Sequence, residues 1–142
     1  MEQPLYNELH KIIKITNSSL LVCALPGQQR YFSGHAIANS SIQFKVVQNR
    51  KGHHNPNNLS YVLFHGSSEI MIRVDLNGQE HAGVKTPHIH IYNEDFKNGK
   101  LAIPLNEMAN YNVTEDIIES LAAFLKYNNF EIKNTLITKP MV

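Results

Sequence analysis

A chain of 142 residues is short enough for one domain, residues 1–142, and long enough to bury a real core. Its 42% apolar and 18% charged residues suit a soluble globular protein, and a formal charge of +1 excludes the global pull on nucleic acid of a strongly basic domain. Eight histidines are the compositional anomaly, and the lone Cys23 excludes an intramolecular disulfide framework.

Met1-Glu2-Gln3-Pro4 has no basic segment followed by an apolar run, and no apolar run is long enough to span a membrane. A cytoplasmic protein with no membrane partner is the expectation. Residues 4–15 read as a helix. Pro4 suits its first turn, and Leu5, Leu9, Ile12 and Ile13 recur at helical spacing. Residues 20–25 form a short apolar strand in which Cys23 reads as a small buried hydrophobe; a catalytic thiolate there would need a histidine brought in by the fold. After the Pro26-Gly27 turn, residues 29–37 resume as a strand. Residues 41–48 alternate, with Ile42, Phe44 and Val46 on one face and Gln43 and Lys45 on the other.

Residues 49–58 are polar. Arg50, Lys51, His53 and His54 beside Gly52 suit contact with an anion, though a solvated hairpin loop is the simpler reading. Residues 59–65 are another strand. Residues 69–76 alternate again, Ile70, Ile72, Val74 and Leu76 against Met71, Arg73 and Asp75, and Asn77-Gly78 turns the chain. Residues 79–86, with Glu80, His81 and Lys85, are too long for a tight hairpin. A short strand is expected over 100–105 and a helix over 113–128, capped by Asn112 and Glu115 with Thr114 as a competing cap. Ile117, Ile118, Leu121, Phe124 and Leu125 make that helix's apolar stripe. Residues 131–138 add an edge strand and a route to a homodimer. The order of elements predicts an α+β domain: a single twisted, mainly antiparallel sheet with the N-terminal and C-terminal helices packed on one face.

The sharpest stretch is Thr86-Pro87-His88-Ile89-His90-Ile91-Tyr92. In a strand, His88, His90 and Tyr92 project together while Ile89 and Ile91 enter the core. If 69–76 pairs with 88–92, Arg73, Asp75, His88, His90 and Tyr92 share one surface. Asp75 would hold an imidazole tautomer, Arg73 a phosphate, and a histidine would act as acid or base. A metal site would start from His88 and His90 and needs a third ligand, for which His81, His65, Glu94 and Asp75 are all open; zinc or another divalent metal is the alternative to having no cofactor. A satisfied network of surface histidines is the plain structural reading.

Gly83, His88, His90, Glu94 and Gly99 faintly resemble the first cupin motif, although no histidine follows His90 to begin a second one. The alternation is also similar to the histidine-triad hydrolases, with Tyr92 at the third position. A longer set of segments runs Gln48-Asn49-Arg50, Ile72 to Gly78, Pro87 to Tyr92, Ala102-Ile103-Pro104-Leu105 and Phe124-Leu125-Lys126-Tyr127. Over roughly residues 40–130 it resembles a small bacterial family of unknown function found in firmicute genomes and their prophages. That resemblance implies a mobile-element setting and points to Gln48, Asn49, Arg50, Arg73, Asp75, His88, His90 and Tyr92.

Three functions are carried forward. The first is a protein-binding accessory, inhibitor or antitoxin-like and directed at a defence system, which would meet a host or phage protein through the polar sheet face or the 49–58 loop, with Gln48, Asn49, Arg50, Lys51, His53 and His54 as binding residues. The second is a toxin-like enzyme cleaving RNA with His88 or His90 as acid/base, Arg50 and Arg73 on phosphate and Tyr92 positioning the substrate. The third is a metal-dependent hydrolase on His88, His90 and His81.

Overall fold

The computed structural model describes residues 1–52, 58–78 and 83–141. Two helices, α1 (Gln3–Lys11) and α2 (Ile117–Tyr127), bracket strands β1 (Lys14–Thr16), β2 (Leu20–Val22), β3 (Gln29–Ala36), β4 (Gln43–Asn49), β5 (Ser60–His65), β6 (Glu69–Asp75), β7 (His88–Ile91) and β8 (Ala102–Pro104), and β9 (Leu136–Thr138) follows. Among the described residues, a seven-stranded sheet runs β1-β3-β4-β5-β6-β7-β8. Each neighbouring pair in it is antiparallel. The α+β architecture expected from the sequence is the one observed. None of the described helices is long and apolar enough to cross a membrane.

The alternation predicted for β4 sets the two faces. Phe44, Val46 and Gln48 are buried toward the helices, and Phe32, Tyr61, Leu63, Ile72, Val74 and Ile89 continue that core across the sheet. Tyr6 and Leu9 of α1 and Leu121, Phe124 and Leu125 of α2 pack into the same core. Tyr61 stacks on Phe124 at 5.3 Å and hydrogen-bonds Ser120 at 2.6 Å. The opposite face carries Tyr31, Lys45, Val47, Val62, Phe64 and Arg73, exposed or half-buried.

Several elements differ from the sequence expectation. Helix α1 ends at Lys11 because Ile12 is extended (ψ 147°), so Ile13 leaves the apolar stripe and is 61% exposed. Leu5 is also exposed, and Tyr6 rather than Leu5 partners Leu9 in the core. Helix α2 begins four residues later than predicted. Its cap is Asp116, whose Oδ2 accepts from Ile118 N (3.1 Å) and Glu119 N (2.9 Å), not Asn112. In β6 the ladder slips at Leu63/Phe64, so Met71 is the extra residue and turns into the core despite its odd place in the alternation. The 131–138 segment is an edge strand of the main sheet only in expectation: its ordered part, β9, pairs in parallel with β2 in a separate ladder. The outermost strands of the large sheet are β1 and β8. Gly34 lets β1 approach β3, since a Cβ there would lie 2.7 Å from the Ile15 carbonyl oxygen.

Lys14 closes the seam between α1, β1 and α2. It is fully buried, and its Nζ donates to the carbonyls of His10 (3.0 Å), Ile12 (3.1 Å) and Asn128 (2.8 Å). Beside it, His10 stacks on Tyr6 and bonds Asn128 Oδ1 at 3.2 Å. Burial, and then the Lys14 ammonium, push His10 down to about 4, against a weaker upward pull from Asn128. Between about pH 4 and 6.5 the unfolded chain therefore binds a proton at His10 that the folded chain does not, so this contribution to stability is lost as pH falls through that window. After allowance for partial solvent access, the loss should be about 1–2 kcal/mol. Urea midpoints at pH 7 and pH 4.5 measure it: His10→Gln should show a smaller acid-induced drop than wild type, and equal drops would remove His10 as the cause.

Candidate functional site

The site is built by the β6–β7 ladder. Arg73 pairs with His90 and Asp75 with His88, so antiparallel register puts all four side chains on the sheet face away from the helices. The expected pairing is present. The environment differs from expectation: His88 has no exposed surface, and His90 and Asp75 are buried too, so this corner of the face is enclosed rather than solvated.

Asp75 sits at the centre. Its Oδ1 accepts from Arg73 Nε at 2.8 Å. Its Oδ2 lies 2.9 Å from His88 Nε2 and 3.8 Å from His90 Nε2. Both rings are held from behind by main-chain oxygens, His88 Nδ1 by Val84 O (3.0 Å) and His90 Nδ1 by Gly99 O (2.8 Å). A carbonyl only accepts, so each Nδ1 carries the hydrogen and donates it. Both Nε2 atoms are turned toward Asp75; that of His88, at 2.9 Å, is within hydrogen-bond distance of a carboxylate that only accepts, so the bond there needs a hydrogen on Nε2. The rings meet edge to face at 4.9 Å. Two imidazole Nε2 atoms and a carboxylate thus converge, with ligand atoms all within 4.8 Å of one another. The carboxylate draws positive charge to this point: the Arg73 guanidinium supplies it at Oδ1, and a proton on Nε2 or a metal ion can supply it at Oδ2.

Two clefts open onto the cluster. One of about 280 Å³ is lined by Arg73, His90, Tyr92 and Gly99. The other, about 240 Å³, is lined by Asn49, Lys51, Asn58, Ser60, Arg73, Asp75, Asn77 and Gly78. Arg73 borders both, with 43% of its side chain exposed. Burial raises the Tyr92 phenol, Arg73 pulls it down and Asp75 pushes it up, with a net rise that keeps the hydroxyl protonated as a donor. Gly99 has a positive φ (85°), and a Cβ there would collide with the Tyr92 ring, so the turn that presents its carbonyl to His90 requires glycine. A larger cleft of about 540 Å³ lies elsewhere, between α1 and the β3–β4 connection, and its lining is mostly apolar.

The predicted site residues divide. Arg73, Asp75, His88, His90 and Tyr92 come together, and Asn49 and Lys51 line the adjoining cleft. Gln48 and Arg50 do not join them. Gln48 is fully buried on the helix side, accepting from Ala24 N (2.7 Å) and donating to Tyr61 Oη (2.9 Å). Arg50 donates to Ala24 O at 2.7 Å and lines a cleft with Glu115 and Ile117, so it does not work beside Arg73. His65 pairs with Glu69 and is packed against Phe44, on the helix side. Glu94 lies in the 3-10 helix Glu94–Gly99, outside the converging set, and the carboxylate comes instead from the preceding strand. His53, His54 and His81 lie outside the described residues. Cys23 is buried and its Sγ is 3.6 Å from Ile117 O; burial raises its thiol, as suits a packing residue. Val84, missed in the sequence, acts through its main-chain oxygen, and so does Gly99, which the sequence offered only within the cupin-like pattern.

Fold and cluster together define an α+β protein whose large antiparallel sheet carries a buried carboxylate–histidine cluster on the face opposite its helices. No curated protein and no solved structure matches the chain. The chain belongs to the DUF6978 family of unknown function, whose model matches residues 1–130. The match takes in the N-terminal helix, which the residue-level resemblance left out.

Proposed function

We propose that the chain is a divalent-metal-dependent hydrolase of a phosphate ester, with Asp75, His88 and His90 as the protein ligands. The observation that carries this reading is the convergence of both Nε2 atoms on the Asp75 carboxylate, each ring fixed from behind by a main-chain carbonyl. Orienting a histidine through its far nitrogen is how proteins prepare imidazole for a metal. Two histidines and one carboxylate leave coordination positions for substrate and water. A metal held here supplies a Lewis acid and lowers the pKa of a bound water. Arg73, held by Asp75 through Nε, has its terminal nitrogens left to bind the phosphoryl oxygens and their developing charge. Tyr92 donates a hydrogen bond to the substrate from the cleft wall.

The test is elemental analysis of the purified chain after loading with zinc or manganese, with hydrolysis of a chromogenic phosphodiester followed in parallel. Wild type should hold about one metal per chain, as a three-ligand site allows. His90→Ala should lose both metal and turnover while its melting temperature without metal changes little. A chain that takes up no metal and hydrolyses nothing would sink the reading.

That failure would pass the weight to a protein-binding role, which a different observation favours. Ile13 and Ile37 are exposed beside the edge strand β1, along the apolar cleft, where a host or phage protein partner would bury them. A firmicute or prophage setting, which the sequence resemblance implies, and the cytoplasmic location expected from the N-terminal sequence suit either role.

A further inference from the structure

We propose that the open face of the sheet is a platform for single-stranded nucleic acid, which it leads into the Asp75–His88–His90 cluster. The inference rests on the hydrolase reading for the fate of the bound strand, and it names that enzyme's substrate class.

Register arranges this face in rows. One row runs Tyr31, Val47, Val62, Arg73 and His90 from β3 to β7. Strands lie about 4.8 Å apart, so the four steps set Tyr31 roughly 19 Å from His90, enough for a few nucleotides. At the far end Tyr31 is 64% exposed, a large ring kept in water on an ordered strand. The next row brings Lys45 beside Phe64. The Lys45 Nζ is 5.6 Å from the Tyr31 ring centre and 4.8 Å from that of Phe64. Half-buried Val47 and Val62 form a floor without polar groups between these rings and Arg73. Lys51 lines the adjoining cleft with Asn49.

Alternating π-faces and cations is what a single strand needs, since bases stack on rings and phosphates meet ammonium and guanidinium groups. The charge is one-sided. Among the described residues of these two rows the cations are Lys45 and Arg73; the carboxylate of Asp75, in the adjoining row, is already bonded to Arg73 and faces His88. That balance suits a polyanion. A duplex hides its base faces from such a surface, so the strand is single. A protein partner would be expected to meet a wider apolar centre than one exposed ring flanked by lysine.

The experiment is fluorescence anisotropy on the full chain freed of metal with EDTA. The probes are labelled RNA and DNA single strands of about 12 nucleotides, within the range such platforms cover, and the matching duplex. Single strands should bind better than the duplex and weaken with added salt. Tyr31→Ala and Lys45→Gln should each weaken binding about tenfold, the scale of one lost stacking or phosphate contact, with the melting temperature and metal content unchanged. Binding of RNA alone, or of RNA and DNA alike, supports the platform and tells which sugar it accepts. No binding to either strand, equal binding to the duplex, or indifference to both substitutions would overturn it. Metal uptake is read separately: a chain that loads metal but binds no strand overturns this inference and leaves the hydrolase reading, whereas strand binding by a chain that takes no metal supports the platform and sinks the hydrolase.

Discussion

Lys14→Met should lower the unfolding free energy by about 3 kcal/mol, because the Ile12 and Asn128 carbonyls lose their donor at once and each orphaned acceptor costs about 1–3 kcal/mol, while His10 O keeps a donor in Asn129 Nδ2. The substitution keeps the apolar stem that brings Lys14 against Phe44 and Phe130, so packing changes little and the loss reports the ammonium. Two of the carbonyls, His10 O and Ile12 O, lie at the end of α1, and the third, Asn128 O, caps α2. One side chain therefore ties both helix ends to β1 and offsets their dipoles. Burial pulls the Lys14 ammonium down to about 7, while its three carbonyl partners favour the charged form. The melting temperature should drop by about 10 °C for a domain of this size. An unchanged midpoint would mean that water reaches the seam and replaces the ammonium.

Asp75→Asn should abolish metal binding and with it the metal-dependent stabilisation. Asparagine keeps the shape and one carbonyl oxygen but removes the charge that neutralises a divalent ion between two imidazoles. Affinity should fall by about 100-fold or more, beyond the loss seen when only an outer partner of a ligand is removed. Zinc at about one hundred times the wild-type dissociation constant should stabilise wild type by about 2.7 kcal/mol, or roughly 8 °C in melting temperature, and the variant by about 0.4 kcal/mol at most. If the variant rises as far as wild type, the ligand set is wrong. The substitution also replaces the charged acceptor of Arg73 Nε by a neutral amide oxygen, so Arg73 is held less firmly and any residual turnover should show weaker substrate binding.

The β6–β7 pairing and its polar face were legible in the sequence because strict alternation places Arg73, Asp75, His88 and His90 on one side. What alternation missed was a single extra residue. The bulge at Met71 reverses the parity of the strand's first half, and no turn residue marks it. Gln48 and Arg50 were misplaced for the opposite reason: they share the parity of Phe44 and Val46, which pointed them toward the helices all along, but their polarity suggested solvent. The buried Gln48 amide is satisfied by Ala24 and Tyr61, partners remote in sequence. The start of α2 was legible in Asp116-Ile117-Ile118-Glu119, a cap pattern directly before the apolar run, and the earlier Asn112 drew the prediction away. Enclosure of the histidines was not legible, because it depends on the chain around Val84 and Gly99 closing behind the rings.

The β6–β7 ladder also fixes which changes in length the chain can tolerate. Core and candidate site are two sides of one ladder: Ile89 and Ile91 face the interior because His88 and His90 do not. Deleting or inserting one residue within β7 would exchange the two sets, placing imidazoles among leucines and isoleucines in the cleft. Folding and chemistry would fail together, and no compensating substitution at a single site would separate them. The spacing from Arg73 to Asp75 and from His88 to His90 should therefore admit no change in length.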